Sequence, residues 1–284
     1  MTAPKPPAAS ENINAAQASG NHAPERVARL SGLMADAAAR AILPLFRKPL
    51  QIDNKLNDVG FDPVTIADRD AELAIRHIIR QHFDDDGILG EEHEDVQGTS
   101  GYTWILDPID GTRAFITGVP QWGTLIGLND GAQTVYGVMN QPFLQERYCG
   151  DGQRATLTSP RHQQPLTLKT RDCATLSDAM LMCTSIDMFS QTERERFTSV
   201  ANTVAMTRFG GDCYAYCMLA SGFIDLVIEA DLKPYDIQAL IPIVEGAGGV
   251  VTDWQGGSVT GGGAVIAAGD ERIHAAALKY LAQQ

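Results

Sequence analysis

The chain has 284 residues, 44% hydrophobic and 20% charged, an ordinary globular composition with length for a large core or two lobes. A net charge of −13 argues against nucleic acid as a partner, because phosphate backbones are bound by a surplus of Lys and Arg. No apolar run is long enough to span a bilayer, so no membrane partner is expected. The five cysteines (Cys149, Cys173, Cys183, Cys213, Cys217) are odd in number and form no CxxC pair, which suits a reducing, cytoplasmic setting.

Residues 1–24 are rich in Ala, Pro, Asn and Ser and lack the apolar centre of a signal peptide, so they read as a disordered tail. From Glu25, ERVARLSGLMADAAARAILPLF carries apolar residues at helical spacing. A second helix is expected to start near Asp68, before the periodic run Leu73, Ile75, Ile78, Ile79. GILGEEH is a short strand ending at Gly90, and YTWILD is another. LIGLNDGAQTVYGVMNQ reads as strand, turn and strand around Asn129-Asp130-Gly131.

In the second half AMLMCTS is a strand and TERERFTSVAN a helix. GGDCYAYCMLASG frames a short helix, and FIDLVIEA is strongly β-prone. PYDIQALIPIVEGAGG is expected to be one helix bent at Pro242, since an interior proline costs about 3 kcal/mol. GVVTDW and AVIAAG are strands, and ERIHAAALKYLAQQ is a closing helix. Strands and helices mix throughout. That predicts an α+β or layered α/β architecture over 25–284, with two lobes of about 25–150 and 151–284.

Acids recur at strand ends and helix starts: Asp68, Glu91, Asp107, Asp110 and Asp236. Any one of them can simply cap a helix. The pair in DPIDGT differs, because two carboxylates packed at one point repel unless a proton or cation sits between them. Oxygen donors without paired His or Cys favour a hard ion, Mg²⁺ before Zn²⁺. Gly111 lets the backbone approach a bound group, and Thr112 offers a hydroxyl at a helix start, a setting that favours phosphate.

Together GEE at Gly90–Glu92, DPIDGT at Asp107–Thr112 followed by Phe115, and YDIQALIPIVEGAGG resemble the inositol monophosphatase superfamily. The resemblance implies an alternating αβαβα sandwich, usually homodimeric, and a Mg²⁺-dependent, lithium-sensitive phosphatase. It implies that Glu91, Asp107, the Ile109 carbonyl, Asp110 and Asp236 hold two or three Mg²⁺ ions, with Asp107 bridging. Asp68, Thr112 and Glu91 would orient a water and help take its proton. Gly111 and Thr112 would receive the phosphate.

By the same resemblance Gly210, Gly211, Asp212, Glu229 and Asp236 contact the substrate. Asp212 stands where inositol enzymes usually carry a small neutral residue. With DGTRAFITGVPQWGTLIGL, GGDCYAY and YDIQALIP, it resembles histidinol-phosphate phosphatases of histidine biosynthesis. Two acids suit the ammonium and imidazole of histidinol phosphate better than a neutral polyol. The alternative role for Asp212 is to cap the helix that follows it. The alternative functions are an inositol-1-monophosphatase or broad sugar-phosphate phosphatase, and a non-catalytic metal-binding regulatory or scaffold protein.

Overall fold

The computed structural model describes residues 21–49, 53–54 and 63–282; the tail expected over 1–24 lies, up to residue 20, outside them, as do Gln283 and Gln284 of the closing helix. Helix α1 (Pro24–Ile42) begins with proline, whose missing N–H is no loss in a first turn, and buries Val27, Leu30, Met34, Ala38 and Ile42. Strands β1 (Asp53–Asn54) and β2 (Pro63–Val64) form a two-residue antiparallel ladder. Helix α2 (Ile66–His82) starts ahead of the expected Asp68. Thr65 is its N-cap, Asp68 its third residue, and the two make a reciprocal capping box.

Next come β3 (Gly87–Gly90), β4 (Thr103–Asp110) and the short helix α3 (Thr112–Ile116). Five strands then follow, β5 (Gly123–Asn129), β6 (Thr134–Gln141), β7 (Glu146–Gly150), β8 (Ala155–Thr158) and β9 (Leu166–Thr167). Strands β3 to β9 lie side by side in sequence order as a seven-stranded sheet, parallel only between β3 and β4.

The remaining elements are β10 (Met180–Cys183), α4 (Gln191–Ala201), β11 (Met206–Phe209), α5 (Asp212–Ala220), β12 (Leu226–Leu232), α6 (Pro234–Ile237), α7 (Ile241–Gly246), β13 (Val250–Asp253), β14 (Gly263–Ala268) and α8 (Glu271–Leu281). The five strands form a second sheet in the order β11-β10-β12-β14-β13. Where one bent helix was expected around Pro242, there are two short helices. Pro242 falls in the first turn of α7, where it removes no helical hydrogen bond, so the interior-proline cost does not arise.

The layers follow from three buried clusters. Helices α1 and α2 cover one face of the larger sheet through Leu30, Met34, Ile75, Trp104 and Leu106. Helices α5, α6 and α7 fill the space between the sheets through Cys213, Tyr216, Ile237 and Val244, against Met139 on one side and Val227 on the other. Helices α4 and α8 cover the outer face of the smaller sheet through Phe197, Ile273, Leu226 and Ile228. The result is an αβαβα sandwich. Strand alternation sends Leu226 and Ile228 outward and Val227 and Glu229 inward, toward the middle layer.

Candidate active site

The central feature is an irregularity in β4. Asp107 pairs with Leu125 and Asp110 with Gly123, so three steps on β4 match two on β5. Two residues three apart normally point to opposite faces of a strand; one extra residue brings them to the same side. Pro108 supplies the break, since it has no N–H for the ladder, and its carbonyl is taken by Thr124 Oγ1 at 2.8 Å. Ile109, between the two aspartates, anchors the bulge in the α1/α2 core. Its carbonyl accepts from Thr112 Oγ1 at 3.0 Å. Gly111 has φ +82, and a Cβ there would lie 3.1 Å from Asp212 Cβ, so the turn needs glycine twice over.

Asp236 joins the pair from the middle layer. Carboxylate oxygens of Asp107, Asp110 and Asp236 lie within 4.8 Å of one another. Asp236 is the third residue of α6 and accepts from Lys233 N at 2.7 Å. Buried Gln238 pins that helix to the β5–β6 turn, accepting from Asn129 Nδ2 and Thr134 Oγ1, each at 2.9 Å, and donating to Thr260 O. Lys233 Nζ pairs with Asp231 at 2.7 Å, which gives this lysine a carboxylate partner.

Asp68 and Glu91 approach from the α2 side. Asp68 Oδ2 accepts from Thr65 N and Thr65 Oγ1 at 2.9 and 2.6 Å. Glu91 follows β3, and its charge bears on Asp68, Asp107 and Asp236 alike. Thr112 sits beside Ile109 and makes its hydrogen bond there.

The electrostatics describe a site short of positive charge. Burial, then Glu91, Asp110 and Asp236, push Asp107 far above the ordinary carboxylate value; burial, then Asp212 and Asp236, do the same to Asp110. Burial raises Asp236 to about 7 and Asp68 to about 6. Asp107 Oδ1 is buried with no hydrogen-bond partner. Converging, oxygen-only donors, one of them orphaned, fit a hard divalent cation, and Asp107, Asp110 and Asp236 could hold one with Glu91 beside them.

The raised values imply a pH dependence. Between pH 4 and 7 the folded, metal-free protein holds more protons than the unfolded chain, so its stability falls as pH rises through that window. In EDTA the melting temperature is expected to drop by about 5 °C or more from pH 5 to pH 7.5, since one pKa unit is about 1.4 kcal/mol and each kcal/mol moves a chain of this size by about 2–4 °C. Mg²⁺ should restore stability at pH 7.5 and do little at pH 5. A flat profile in thermal melts would contradict this.

Next to Asp107 lies a cavity of about 120 Å³ whose lining includes Asp110 and Asp236 together with Thr184, Asp212, Tyr216 and Glu229. Asp212 opens α5 with φ 45, a left-handed conformation that costs a non-glycine residue about 1–3 kcal/mol. It follows Gly210 (φ 82) and Gly211, whose missing Cβ leaves room for Ala215 and Met182. Asp212 makes no capping hydrogen bond. The N-cap position is Gly211, and the Cys213 N–H at that helix start is taken by Asp110 Oδ2 at 2.6 Å, so Asp212 is an acid in the first turn of α5 without a cap hydrogen bond of its own. Burial, then the charge of Glu229, raises Asp212 to about 7, against the pull of Arg113.

Glu229 is 2% exposed and fully engaged. Thr184 N and Oγ1 donate to Oε1 at 2.9 and 2.6 Å, and Tyr216 OH to Oε2 at 2.9 Å. Thr184 Oγ1 also accepts from Asp212 N at 3.0 Å, so this one residue ties the two acids together. Thr65, Thr184, Tyr216 and Gln238 were missed in the sequence. A threonine three residues before Asp68 was a readable capping signal; the others come from distant segments and carry none.

Sequence comparison places this architecture. A profile of the inositol monophosphatase family matches residues 24–284. The chloroplastic bifunctional phosphatase IMPL2 of Arabidopsis thaliana is 42% identical over 269 residues, 90% of this chain and 75% of that protein. The histidinol-phosphatase of Mycobacterium tuberculosis is 36% identical over 220 residues, 77% of this chain and 83% of that one. A solved inositol monophosphatase from Zymomonas mobilis superposes with a TM-score of 0.81 at 42% identity, covering 92% of this chain and 99% of its own. Fold, acid cluster and relatives together define a phosphatase. The chain belongs to the inositol monophosphatase family. Among the described residues no helix is long and apolar enough to cross a membrane.

Proposed function

We propose that the protein hydrolyses histidinol phosphate to histidinol and phosphate, using Mg²⁺ held by Glu91, Asp107, Asp110, Asp236 and the Ile109 carbonyl. The single observation that carries the substrate choice is Asp212, an acid in a strained backbone conformation, lining the cavity and capping nothing. Strain of this kind persists where the surroundings over-determine it, often at a ligand.

Bound Mg²⁺ supplies positive charge against the phosphoryl and leaving oxygens and makes water a stronger acid. The chain's own residues do the rest. Gly111 and Thr112, at the start of α3 directly after Asp110, would receive the phosphate, the Thr112 hydroxyl leaving its hydrogen bond to the Ile109 carbonyl to do so. Asp68, Thr112 and Glu91 orient the attacking water, and an acid held near 6, as Asp68 is, is suited to taking up its proton at neutral pH. Gly210 and Gly211 shape the wall beside the substrate. Asp212 pairs with the ammonium or imidazolium of the organic end. Glu229, already saturated by Thr184 and Tyr216, contributes buried negative charge behind Asp212.

A second reading, an inositol or broad sugar-phosphate phosphatase, is favoured by the solved Zymomonas mobilis neighbour, which is called an inositol monophosphatase. A neutral polyol, however, brings no cation to pair with Asp212 beside Glu229. Phosphate release from histidinol phosphate, inositol 1-phosphate and fructose 1,6-bisphosphate under Mg²⁺ separates the readings. The proposal expects a kcat/KM for histidinol phosphate at least 10-fold above the others; preference for the inositol ester would overturn it.

A further inference from the structure

We infer that the buried Glu72–Arg76 pair positions Glu91, and so sets one side of the carboxylate cluster; the inference rests on the metal-dependent phosphatase reading above. Glu72 and Arg76 are 0% and 3% exposed, with Arg76 Nε 2.7 Å from Glu72 Oε1. Their other hydrogen bonds run to a single turn. Glu92 N donates to Glu72 Oε2 at 2.8 Å, while Arg76 Nη1 and Nη2 donate to the carbonyls of Glu94 and His93 at 2.9 and 3.0 Å. That turn begins at Glu91, whose own N–H reaches across to Leu106 O at 3.2 Å, one residue before Asp107.

The pair therefore grips the backbone on the far side of Glu91 while β4 grips the near side. Gly90 is shaped for this: a Cβ there would fall 2.2 Å from Glu72 Oε1. A buried ion pair is a poor device for stability alone, because both charges give up their water. Here it supplies donors and an acceptor to backbone groups that no strand satisfies. The planar guanidinium fork spans two carbonyls and a carboxylate at once, a geometry a lysine cannot reproduce.

Position along the helix adds to the argument. Asp68, Glu72 and Arg76 are spaced four apart on α2 and share one buried face. The same rigid helix that presents Asp68 thus also holds the turn of Glu91. Groups that support metal ligands in this way commonly change affinity 10- to 100-fold when altered.

The test compares wild type with Arg76→Lys and Glu72→Gln, checking each fold by circular dichroism and melting. Mg²⁺ and Mn²⁺ binding is measured by calorimetry, and phosphate release as a function of Mg²⁺. The inference expects the Mg²⁺ Kd of Arg76→Lys to rise at least 10-fold, the half-activating Mg²⁺ concentration to rise in step, and the ester KM at saturating Mg²⁺ to stay within 2-fold. If Glu72→Gln fails to fold, Arg76→Lys decides. A folded Arg76→Lys that binds Mg²⁺ as wild type does would overturn the positioning role alone. Wild type that binds Mg²⁺ without ester turnover would sink only the phosphatase reading, and the calorimetry would still decide this one. Wild type that binds no Mg²⁺ would sink the metal reading and this inference together.

Discussion

Asp107→Asn is expected to lower Mg²⁺-dependent phosphate release by about 10³-fold or more, while raising the melting temperature of the metal-free protein. Both effects have one cause. Asp107 is buried among Glu91, Asp110 and Asp236, and its Oδ1 has no partner within the protein. With a divalent cation present that carboxylate offsets the ion's charge. Losing about 4 kcal/mol of transition-state stabilisation corresponds to about 10³ in rate. Without the cation the same carboxyl is held protonated far above its ordinary pKa by burial and the neighbouring acids, a cost to the folded state at pH 7.5 that a neutral amide removes. A gain of about 1 kcal/mol would appear as about 2–4 °C in a melt recorded in EDTA at pH 7.5. Loss of both activity and metal-free stability would mean the cluster is a structural network with no need of an ion.

Asp212→Ala is expected to raise KM for histidinol phosphate by about 30- to 300-fold, with little change in kcat and less than 3-fold change for a neutral ester. Truncating one partner of a desolvated charge pair costs about 2–5 kcal/mol; the lower part of that range, about 2–3.5 kcal/mol at 1.4 kcal/mol per factor of ten, gives this effect. The fold should be retained, because the Asp212 side chain makes no cap hydrogen bond; alanine adds only the modest cost of a left-handed φ that it tolerates less well than aspartate. Asp212→Asn, which tolerates that conformation better, keeps the shape and removes the charge. It should show nearly the same KM defect. Equal losses on charged and neutral esters would remove the basis for the substrate choice.

How much of this was legible in the sequence differs by region. Helices α1 and α8 showed because one face of each is continuously apolar. Strands β7 and β11 were hidden for opposite reasons. In β7 the buried position 146 is a glutamate, held by Arg161, Tyr148 and Tyr214, so no apolar alternation appears. In β11 the edge strand leaves Met206 and Phe209 exposed, so burial imposes no pattern. The sequence pattern over 234–249 showed helix, but the break before α7 depends on Gln238 reaching the β5–β6 turn, more than a hundred residues back in the chain.

The acid cluster was readable because most of it is compressed into DPIDGT. A proline, a bulge and a left-handed glycine there fold consecutive letters onto one point. What could not be read was the support. Thr184 joins Asp212 to Glu229 from just past the end of β10, and Glu72 and Arg76 hold the Glu91 turn from inside a helix. An isolated threonine or a helical Glu–Arg pair four apart looks the same on any protein surface.

The most direct test of the site is a crystal structure of the protein with Mn²⁺, phosphate and histidinol, using the metal's anomalous scattering to place the ions. The account predicts anomalous peaks among Glu91, Asp107, Asp110 and Asp236, phosphate against Gly111 and Thr112, and a histidinol nitrogen within hydrogen-bond distance of Asp212. Peaks away from those carboxylates, or histidinol turned from Asp212 with the metals in place, would contradict it.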